Sequence, residues 1–289
     1  MVINKSFGMS KSKEFLQQNL FEEGLKYFGI KDKNIAIEQA NSWYDDKNSW
    51  QTKRWIQAEI FGDHKGKILD MACGSGVFVF SGLHKGYDVY GIEPEGWMHQ
   101  YIEMKIEELS YPKEWKQRFI KAVGENLPFE NETFDYIESA QTLEHTNDYK
   151  KCLDELIRVL KVGGKIRIFA PDYEGFYEPH YRIPFLPKMN RTLAKIYLKI
   201  LGKPIIGLNT ITYITAKDII NYLSKKFVNI EIIDLYKVHR KRKIDYINSK
   251  FKIGKYLSNL IVGLIWYNFY ITKGLKPIDL VIKKVENGI

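Results

Sequence analysis

The sequence predicts an α/β fold in which seven strands form one sheet with helices on both faces. Between Lys67 and Pro171, short β-type runs alternate with helical ones, and this alternation is typical of parallel strand–helix–strand units. Two glycines, Gly74 and Gly76, directly follow the first of these strands. Two further strand-like runs come near the carboxyl end, with a helical insertion before the last one.

The spacing of apolar residues places each element of this sheet. The first five strands are predicted at residues 67–71, 88–93, 118–123, 134–139 and 164–171, with helices near 77–85, 95–109 and 148–160. An irregular loop over 172–193 and a helix near 190–201 are predicted next. The last predicted elements are a helix over 215–227 with Thr215 as its N-cap, and strands over 229–236 and 278–285.

The other residues are predicted to be additions to this sheet. Apolar residues at helical spacing predict helices over 11–28 and about 34–61, so residues 1–60 are expected to form a helical N-terminal cap. Residues 61–289 would then form the main α/β domain, with additions at 172–214 and 237–277.

The composition is that of an ordinary globular protein with a sizeable core. The chain has 289 residues, of which 45% are hydrophobic and 27% are charged, and its formal net charge is +9. Only two cysteines are present, Cys73 and Cys152, which excludes a disulfide framework. The first residues lack the apolar region of a signal peptide, and no uninterrupted apolar run reaches the roughly 18 residues of a membrane span. We therefore expect a cytoplasmic protein.

The sequence of the glycine loop after the first strand distinguishes between several classes of ligand. The dinucleotide fingerprint requires a third glycine, G-x-G-x-x-G, but that place is taken by Val79. A P-loop pattern is also absent from the sequence. Instead Asp70 ends the strand, and a carboxylate there suits a cationic or amino-acid-bearing ligand better than a diphosphate. The alternative is a tight turn that binds nothing.

An acidic residue at the end of the second strand further limits the classes of ligand that the glycine loop could bind. Glu93 closes the run DVYGIE, and an acid at this place can accept hydrogen bonds from both ribose hydroxyls of an adenosine. A solvent-exposed loop glutamate is common, but its joint placement with Asp70, Gly74 and Gly76 is not. The combination indicates a cofactor that contains adenosine.

The stretch from about 66 to 172 resembles the class I S-adenosylmethionine (SAM)-dependent methyltransferases of the small-molecule type. The glycine motif of that family is similar to ILDMACGSG, and its ribose-binding acid to GIEPEGWM. Its third and fourth motifs resemble GENLPFENETFDYIESAQTLEHTND, and its fifth strand resembles ELIRVLKVGGKIRIFAPD. The resemblance implies an enzyme with a Rossmann-like fold and SAM as its cofactor.

The resemblance also implies roles for individual residues. Asp70 would orient the amino-acid part of SAM, Glu93 would hold the ribose, and Trp97 or Met98 would line the adenine face. The full cofactor set implied is Asp70, Ala72, Gly74, Gly76, Glu93, Trp97, Met98, Gly124, Glu125, Ser139 and Gln141. One place departs from the family: many relatives carry an aspartate where this chain has Val123, so adenine recognition would rest on backbone groups or on Glu125.

The tripeptide LEH, residues 143–145, raises the question of a metal. Some quinone-type O-methyltransferases of this family hold a divalent metal with a similar Glu-His pair and an upstream acid. Hard cations prefer carboxylate oxygens, and here Gln141 stands in the upstream position. We therefore expect no metal. His145 is then expected either to act at the methyl-transfer site or to have a structural role.

An oxygen acceptor would need a base. Methyl transfer from a sulfonium mainly requires alignment of the two reactants, but a hydroxyl nucleophile must also lose its proton. The candidates are His145, and His180 together with Glu178, all at the carboxyl ends of strands, where ligands bind in open α/β sheets. Aromatic residues around His180 would either enclose a ring or sugar or simply pack the loop; they are Tyr173, Phe176, Tyr177 and Tyr181.

Three segments outside the motifs each have two possible roles. The first helices carry Trp43, Tyr44 and Trp50, which would form a lid over the cofactor or pack as plain structure. The basic tract YKVHRKRKIDY leads into an apolar helix at 256–271. Residues 237–271 would dock on the acceptor face as a lid, or seat the enzyme peripherally on the inner face of an anionic membrane. Nucleic acid is not expected as a partner, because no RNA-binding module accompanies the basic tract.

The combined hypothesis is SAM-dependent O-methylation of a small molecule, a sugar phosphate or a lipid-linked glycan precursor of the surface-polysaccharide type. This choice of acceptor comes from the region after Pro171, which resembles methyltransferases of such pathways, and from the basic charge balance. The alternatives are methylation of a polyprenyl quinone precursor, suggested by LEH and the apolar helix, and methylation of RNA. A SAM-binding protein without catalysis is a further alternative.

Overall fold

A computed structural model describes residues 10–62, 66–252, 254–272 and 276–286 of the chain, and the side chains of residues 49 and 266–272 lie outside this description. Residues 1–9 of the predicted N-terminal cap therefore lie outside the described residues. So do the side chains of the last third of the predicted apolar helix.

A seven-stranded sheet forms the centre of the described chain. Its strand order is β3-β2-β1-β4-β5-β9-β8, and a separate two-stranded hairpin pairs β6 with β7. The strands of the described residues are β1 (Lys67–Met71), β2 (Asp88–Ile92), β3 (Phe119–Ile120), β4 (Phe134–Ala140), β5 (Leu160–Pro171), β6 (Tyr177–Glu178), β7 (Ile183–Pro184), β8 (Ile230–Asp234) and β9 (Pro277–Lys284). The first five pair in parallel, whereas β9 runs antiparallel to β5 and β8. This confirms the predicted seven-stranded α/β fold.

Helices cover both faces of this sheet. Those in the described residues are α1 (Lys11–Phe28), α2 (Lys33–Tyr44), α3 (Ser49–Phe61), α4 (Val77–His84), α5 (Gly96–Glu108), α6 (Tyr149–Val159), α7 (Arg191–Ile200), α8 (Ala216–Lys226), α9 (Leu235–Phe251) and α10 (Lys255–Thr272). Adjacent residues of β1, Ile68 and Leu69, belong to different apolar clusters because their side chains point to opposite faces. The Leu69 face packs on α6 and α8, and the Ile68 face packs on α1 to α5.

The prediction of one helix over 34–61 was wrong. The chain forms two helices, α2 and α3, separated by residues 45–48. Asp45 adopts an extended conformation and accepts the Lys47 N–H at 2.9 Å, and Asn48 caps α3 by accepting the Gln51 N–H at 2.9 Å. Short polar side chains compete with helical hydrogen bonds in this way. The helical spacing of apolar residues continues across residues 45–48, so it did not indicate the break between the two helices.

Two other segments differ from their predictions. The strand predicted at 118–123 consists only of Phe119–Ile120, because β3 lies at the sheet edge and pairs with β2 alone. The loop predicted at 172–193 contains the β6–β7 hairpin. Thr215 is confirmed as an N-cap, since its side chain accepts the Asp218 N–H at 3.1 Å.

The two additions differ in how they are packed. Residues 172–214 have an apolar cluster of their own, formed by Tyr173, Tyr181, Ile183, Phe185, Ala194, Leu198, Leu208 and Ile211. In the other addition, α10 packs against α9, and α9 packs against β9. Among the described residues, no helix has the length and apolarity that crossing a bilayer requires.

Candidate active site

The glycine loop between β1 and α4 has a backbone that few other residues could adopt. Gly74 and Gly76 have φ angles of 53° and 73°, in the left-handed region, and Ala72 joins them at 55°. A Cβ on Gly76 would lie 2.5 Å from the ring of Phe119, so this glycine is also required by packing. At Gly74 the nearest atom would be 3.8 Å away, on Trp43, which leaves room beside the loop for a ligand.

Glu93 lies next to this loop and is bound to it. One of its carboxylate oxygens accepts the Gly74 N–H at 2.9 Å, and the other accepts the Glu95 N–H at 3.0 Å. Burial raises the pKa of Glu93, partly offset by these two hydrogen bonds. Each oxygen of a carboxylate has two acceptor positions, so both could still accept a ribose hydroxyl.

A cleft of about 380 Å³ opens beside Glu93, within the range of small-molecule sites. It is lined by Pro94, Lys121, Ala122, Val123, Asn126 and Pro128. Val123, the departure from the family pattern, is thus a wall of this cleft. Of the predicted adenine neighbours, Met98 is buried, and Trp97 donates its indole N–H to Glu23 of α1 at 2.8 Å.

The cofactor residues predicted near the ends of β3 and β4 lie in different surroundings. Gly124 packs tightly, since a Cβ there would lie 2.3 Å from the Met71 side chain. Glu125 accepts the backbone N–H groups at 147 and 148, which hold the start of α6. Ser139 Oγ is buried and has no hydrogen-bond partner among the described residues. Gln141 has a φ of 55°, and its side chain is exposed.

Asp70 ends a row of buried charges that crosses four strands, β1, β4, β5 and β9. Arg54 of α3 pairs with Asp70 and, at 3.3 Å, with Glu138 of β4. Arg167 of β5 pairs with Glu138 at 3.0 Å and with Asp279 of β9 at 3.1 Å. The row contains three carboxylates and two guanidinium groups, so it lacks one positive charge when every member is ionised.

The row leaves one acceptor open at its Asp70 end. Asp70 Oδ2 is buried and has no hydrogen-bond partner within the described chain. Burial raises the pKa of Asp70 to about 7, although Arg54 opposes this shift. An ammonium group placed at Oδ2 would supply both the missing donor and the missing positive charge. The residues present therefore fit the amino-acid end of SAM.

The two candidate histidines come together at the carboxyl edge of the sheet. His145 lies in a short 3-10 turn after β4, and His180 lies between β6 and β7. Their Nε2 atoms are 3.0 Å apart. The outer nitrogens are also bound: His145 Nδ1 lies 2.9 Å from the Thr210 carbonyl oxygen, and His180 Nδ1 lies 2.7 Å from Glu178 Oε1.

These partners define where the protons are. A carbonyl oxygen only accepts, so His145 carries its proton on Nδ1 and its Nε2 acts as an acceptor. A carboxylate likewise requires a proton on His180 Nδ1. The short Nε2–Nε2 contact then needs one further proton, which makes His180 the cationic member. Glu178 accordingly raises the pKa of His180, while burial and the neighbouring His180 lower the pKa of His145 to about 4.

The surroundings of Glu178 fix the histidine pair in place. Glu178 is fully buried, and it accepts the Tyr173 hydroxyl at 3.0 Å and the Tyr181 N–H at 2.5 Å. Both tyrosines belong to the apolar cluster of 172–214, so they pack this segment instead of enclosing a ligand. The ring of Phe28, from α1, stacks on His180 at a centroid distance of 5.4 Å.

Glu144 was considered in the sequence only as half of a Glu-His metal pair, and it was not retained as a site residue. It is fully buried, its two carboxylate oxygens have no hydrogen-bond partner among the described residues, and burial raises its pKa to about 7. Glu144, His145 and His180 each offer one ligand atom, all within 4.8 Å of one another. This set has the composition of a divalent-cation site. The expected absence of a metal therefore stays a prediction.

Arg54 and Thr210 were missed by the sequence reasoning. Neither residue belongs to a motif, and each reaches the site from an added segment, Arg54 from α3 and Thr210 from the 172–214 addition. For Glu144 a signal did exist, because it precedes His145 directly. For the other two, no local sequence pattern could have identified them.

Comparisons with known proteins agree with this geometry. Residues 69–168 match the family model described as a methyltransferase domain. The demethylmenaquinone methyltransferase of Geobacillus sp. (strain WCH70) is 27% identical over 199 residues, which are 65% of this chain and 79% of that protein. That of Lactococcus lactis subsp. lactis (strain IL1403) is 28% identical over 211 residues, 68% of this chain and 77% of that protein.

Among solved structures, phosphoethanolamine N-methyltransferase 2 of Haemonchus contortus has a similar fold, with a TM-score of 0.52 at 15% identity over 96% of this chain and 61% of that one. The matched family segment contains the glycine loop, Glu93 and His145. The strand order of the sheet and the unpaired acceptor at Asp70 Oδ2 also agree with this family. The chain is therefore a class I SAM-dependent methyltransferase, an enzyme whose cofactor is S-adenosylmethionine.

Proposed function

We propose that the enzyme transfers the methyl group of SAM to a hydroxyl oxygen of a small-molecule acceptor, with the His145–His180 pair as the base. The observation that carries this proposal is the 3.0 Å contact between the two Nε2 atoms, with Glu178 behind His180. A buried carboxylate that makes a histidine more basic supports an acceptor that loses a proton during the transfer. A hydroxyl oxygen is such an acceptor, because its proton must leave as the new bond forms.

The proton balance of the step follows from these contacts. SAM supplies the electrophilic methyl group and leaves as the neutral thioether. The pair begins the step with both imidazoles neutral. The acceptor oxygen forms the new O–C bond, and its proton becomes the one held between the two Nε2 atoms. The positive charge that appears on the imidazole is stabilised by Glu178 at 2.7 Å. Asp70 and Glu93 hold the two ends of the cofactor in this proposal, so that the methyl group faces the histidines.

The acceptor proposed is a sugar phosphate or a lipid-linked glycan precursor of the surface-polysaccharide type. The charge of the 172–214 addition supports it, because this addition carries Arg and Lys residues but no acidic residue after Glu178. A phosphorylated acceptor would be attracted by that charge. The test is a mass-shift screen with SAM over sugar phosphates, nucleotide sugars, lipid-linked saccharides, quinone analogues and RNA.

The screen includes His180→Ala as a matched variant. We expect a gain of one methyl group on one acceptor class, and a rate about 10²- to 10⁴-fold lower in His180→Ala. SAM affinity, measured by calorimetry, should stay within about twofold, and His239→Ala on the exposed side of α9 should behave as wild type. Equal losses of rate and of SAM affinity would contradict the assignment of His180 as base.

A second candidate acceptor is a polyprenyl quinone precursor. The relatives from Geobacillus and Lactococcus are named demethylmenaquinone methyltransferases, and this favours an isoprenoid ring acceptor. The same screen separates the two candidates, because methylation of the quinone analogues alone would replace the sugar proposal. The two acceptor classes share the cofactor half of the site and differ at 172–214.

The division of the chain is also a proposal. Residues 1–60 would be a helical cap and 61–289 the methyltransferase domain, with additions at 172–214 and 237–277. Supporting the cap as a lid, the Trp43 carbonyl accepts the Ser75 hydroxyl at 3.1 Å, and Trp50 packs on Phe169 at a centroid distance of 5.3 Å. The first contact connects α2 to the cofactor loop, and the second connects α3 to β5. Docking of 237–271 on the acceptor face stays a prediction.

A further inference from the structure

Helix α7 has an apolar face that the rest of the described chain leaves uncovered. Its inner face is buried through Ala194 and Leu198. Its outer face carries Leu193, Ile196 and Ile200, which are 58%, 51% and 77% exposed. These three residues are spaced by three and four positions, so they form one stripe along the helix.

Exposed apolar residues also flank the helix in the sequence on both sides. Further apolar residues of the same addition are more than a third exposed, namely Leu186, Leu201, Ile205 and Ile206. Single exposed apolar residues are ordinary on protein surfaces, but a contiguous group usually marks a binding surface. We call the outer stripe of α7 with these four residues the α7 surface.

The chain segment that contains the α7 surface carries charge of only one sign. Between residues 179 and 217 the sequence contains no Asp or Glu and seven basic residues, which are Arg182, Lys188, Arg191, Lys195, Lys199, Lys203 and Lys217. Lys195 and Lys199 lie on α7 itself, are exposed, and form no ion pair with any described residue. A partner that covers the apolar stripe must therefore also accept two uncompensated positive charges.

We propose that α7 is an interfacial helix that docks the enzyme on an anionic lipid bilayer. Its outer stripe would enter the boundary between headgroups and acyl chains, and Lys195 and Lys199 would lie at the level of anionic headgroups. An acidic protein could match the charge, but a bilayer also accommodates a narrow, convex apolar helix without needing a shaped groove. The occupant we infer is therefore a membrane surface.

The inner face of α7 connects this surface to the active site. Ala194 and Leu198 pack in the same apolar cluster as Tyr173 and Tyr181, and these tyrosines hold Glu178. The same addition supplies Thr210, which fixes His145. Docking through α7 would therefore place the bilayer on the part of the chain that also builds the acceptor side. The docking proposal does not depend on which acceptor is methylated.

The test is co-sedimentation of the full chain with phosphatidylglycerol vesicles and with phosphatidylcholine vesicles at physiological salt. We expect wild type to bind the anionic vesicles and to bind the neutral ones much less. The triple variant Leu193→Ser/Ile196→Ser/Ile200→Ser should lower the partition coefficient by tenfold or more, on the order expected for removing three large apolar side chains. Lys195→Gln/Lys199→Gln should remove most of the preference for anionic lipid.

Two matched variants keep this test decisive. Ile56→Ser/Ile60→Ser removes exposed apolar residues of α3, 46% and 61% exposed, and should bind as wild type. Leu260→Ser/Leu264→Ser does the same on α10, and a loss confined to this variant would overturn the proposal in favour of α10. Unchanged SAM binding shows that each variant is folded. Absence of vesicle binding by wild type, or a dimer dissociated by the α7 triple variant, would also overturn it.

Discussion

Glu178 determines at which pH the histidine pair can accept a proton. Its carboxylate lies 2.7 Å from His180 Nδ1 and raises the pKa of His180 above the ordinary value of 6.5. A base works in its deprotonated form, so kcat should rise with pH through that raised pKa and level off above it. The protonated pair at lower pH cannot take the acceptor proton.

We expect Glu178→Gln to move this ascending limb toward lower pH and to lower the plateau. The amide keeps the shape of the side chain but removes the charge that favours the imidazolium form. The measurement is a pH–rate profile for methyl transfer at saturating SAM. A profile with the same midpoint in both proteins would show that Glu178 does not act through His180.

Asp70 offers a second prediction, about cofactor affinity. Its Oδ2 is the open acceptor at the end of a charge row that lacks one positive charge. We expect Asp70→Asn to weaken SAM binding about 10- to 100-fold, as for the loss of a hydrogen bond to a charged group. Calorimetry measures this change, and Asp88→Asn, which removes only the half-exposed partner of Arg118, serves as the control.

The pH dependence of wild-type binding follows from the same residue. Burial raises the pKa of Asp70 to about 7, and only the ionised form attracts an ammonium group. SAM affinity should therefore fall as the pH drops below 7, and this fall should be absent in Asp70→Asn. A wild-type affinity that stays constant from pH 8 to pH 6 would exclude Asp70 as the partner of the ammonium group.

At the scale of elements, the glycine loop allows a controlled substitution. Gly76 and Gly86 both have left-handed φ angles, 73° and 80°, but a Cβ meets the Phe119 ring at 2.5 Å at Gly76 and nothing within 4 Å at Gly86. Alanine at either place costs about 1–2 kcal/mol in backbone strain. Gly76→Ala should cost a further 1–3 kcal/mol, roughly, from overpacking.

Thermal unfolding of the two variants separates these contributions. We expect a clearly lower Tm for Gly76→Ala than for Gly86→Ala, together with weaker SAM binding in Gly76→Ala only. Equal Tm values would mean that α4 and β3 adjust to the added methyl group. The difference between the two variants measures the packing at the loop without the common backbone strain.

Secondary structure was predictable where one local pattern dominated. The glycine loop, the strand ends at Met71 and Ile92, and the Thr215 cap depend on neighbouring residues, and the sequence placed them to within about one residue. The break between α2 and α3 depends on Asp45 and Asn48, whose polar side chains interrupt an apolar pattern that continues across them. β3 is short because it lies at the edge of the sheet, and the spacing of apolar residues gives no information about a strand's place in the sheet.

At the scale of the whole molecule, the two halves of the site differed in how well they could be predicted. The expected cofactor residues fall in one block with a recognisable order, because consecutive strands end at the same edge of the sheet. The proposed acceptor side combines the adjacent residues Glu144 and His145 with Phe28, Glu178 and Thr210, and tertiary packing brings these separate parts of the chain together. The pairing of His145 with His180 therefore could not be read from spacing, although both residues had been singled out.

The separate apolar cluster of residues 172–214 has a consequence for how such an enzyme can be redesigned. Tyr173, Tyr181 and Leu198 are packed among residues of their own segment, whereas the cofactor half is anchored in the two large clusters on the sheet faces. Grafting the corresponding segment of a relative at 172 and 214 would exchange the segment that we propose to bind the acceptor, while retaining the residues that we propose to bind SAM. A chimaera would have to keep the contacts of this segment with the rest of the chain. These include the contacts of His145 with His180 and Thr210, the ring of Phe28 on His180, and the close fit at the glycine of position 207, where a Cβ would lie 2.3 Å from the Tyr27 carbonyl.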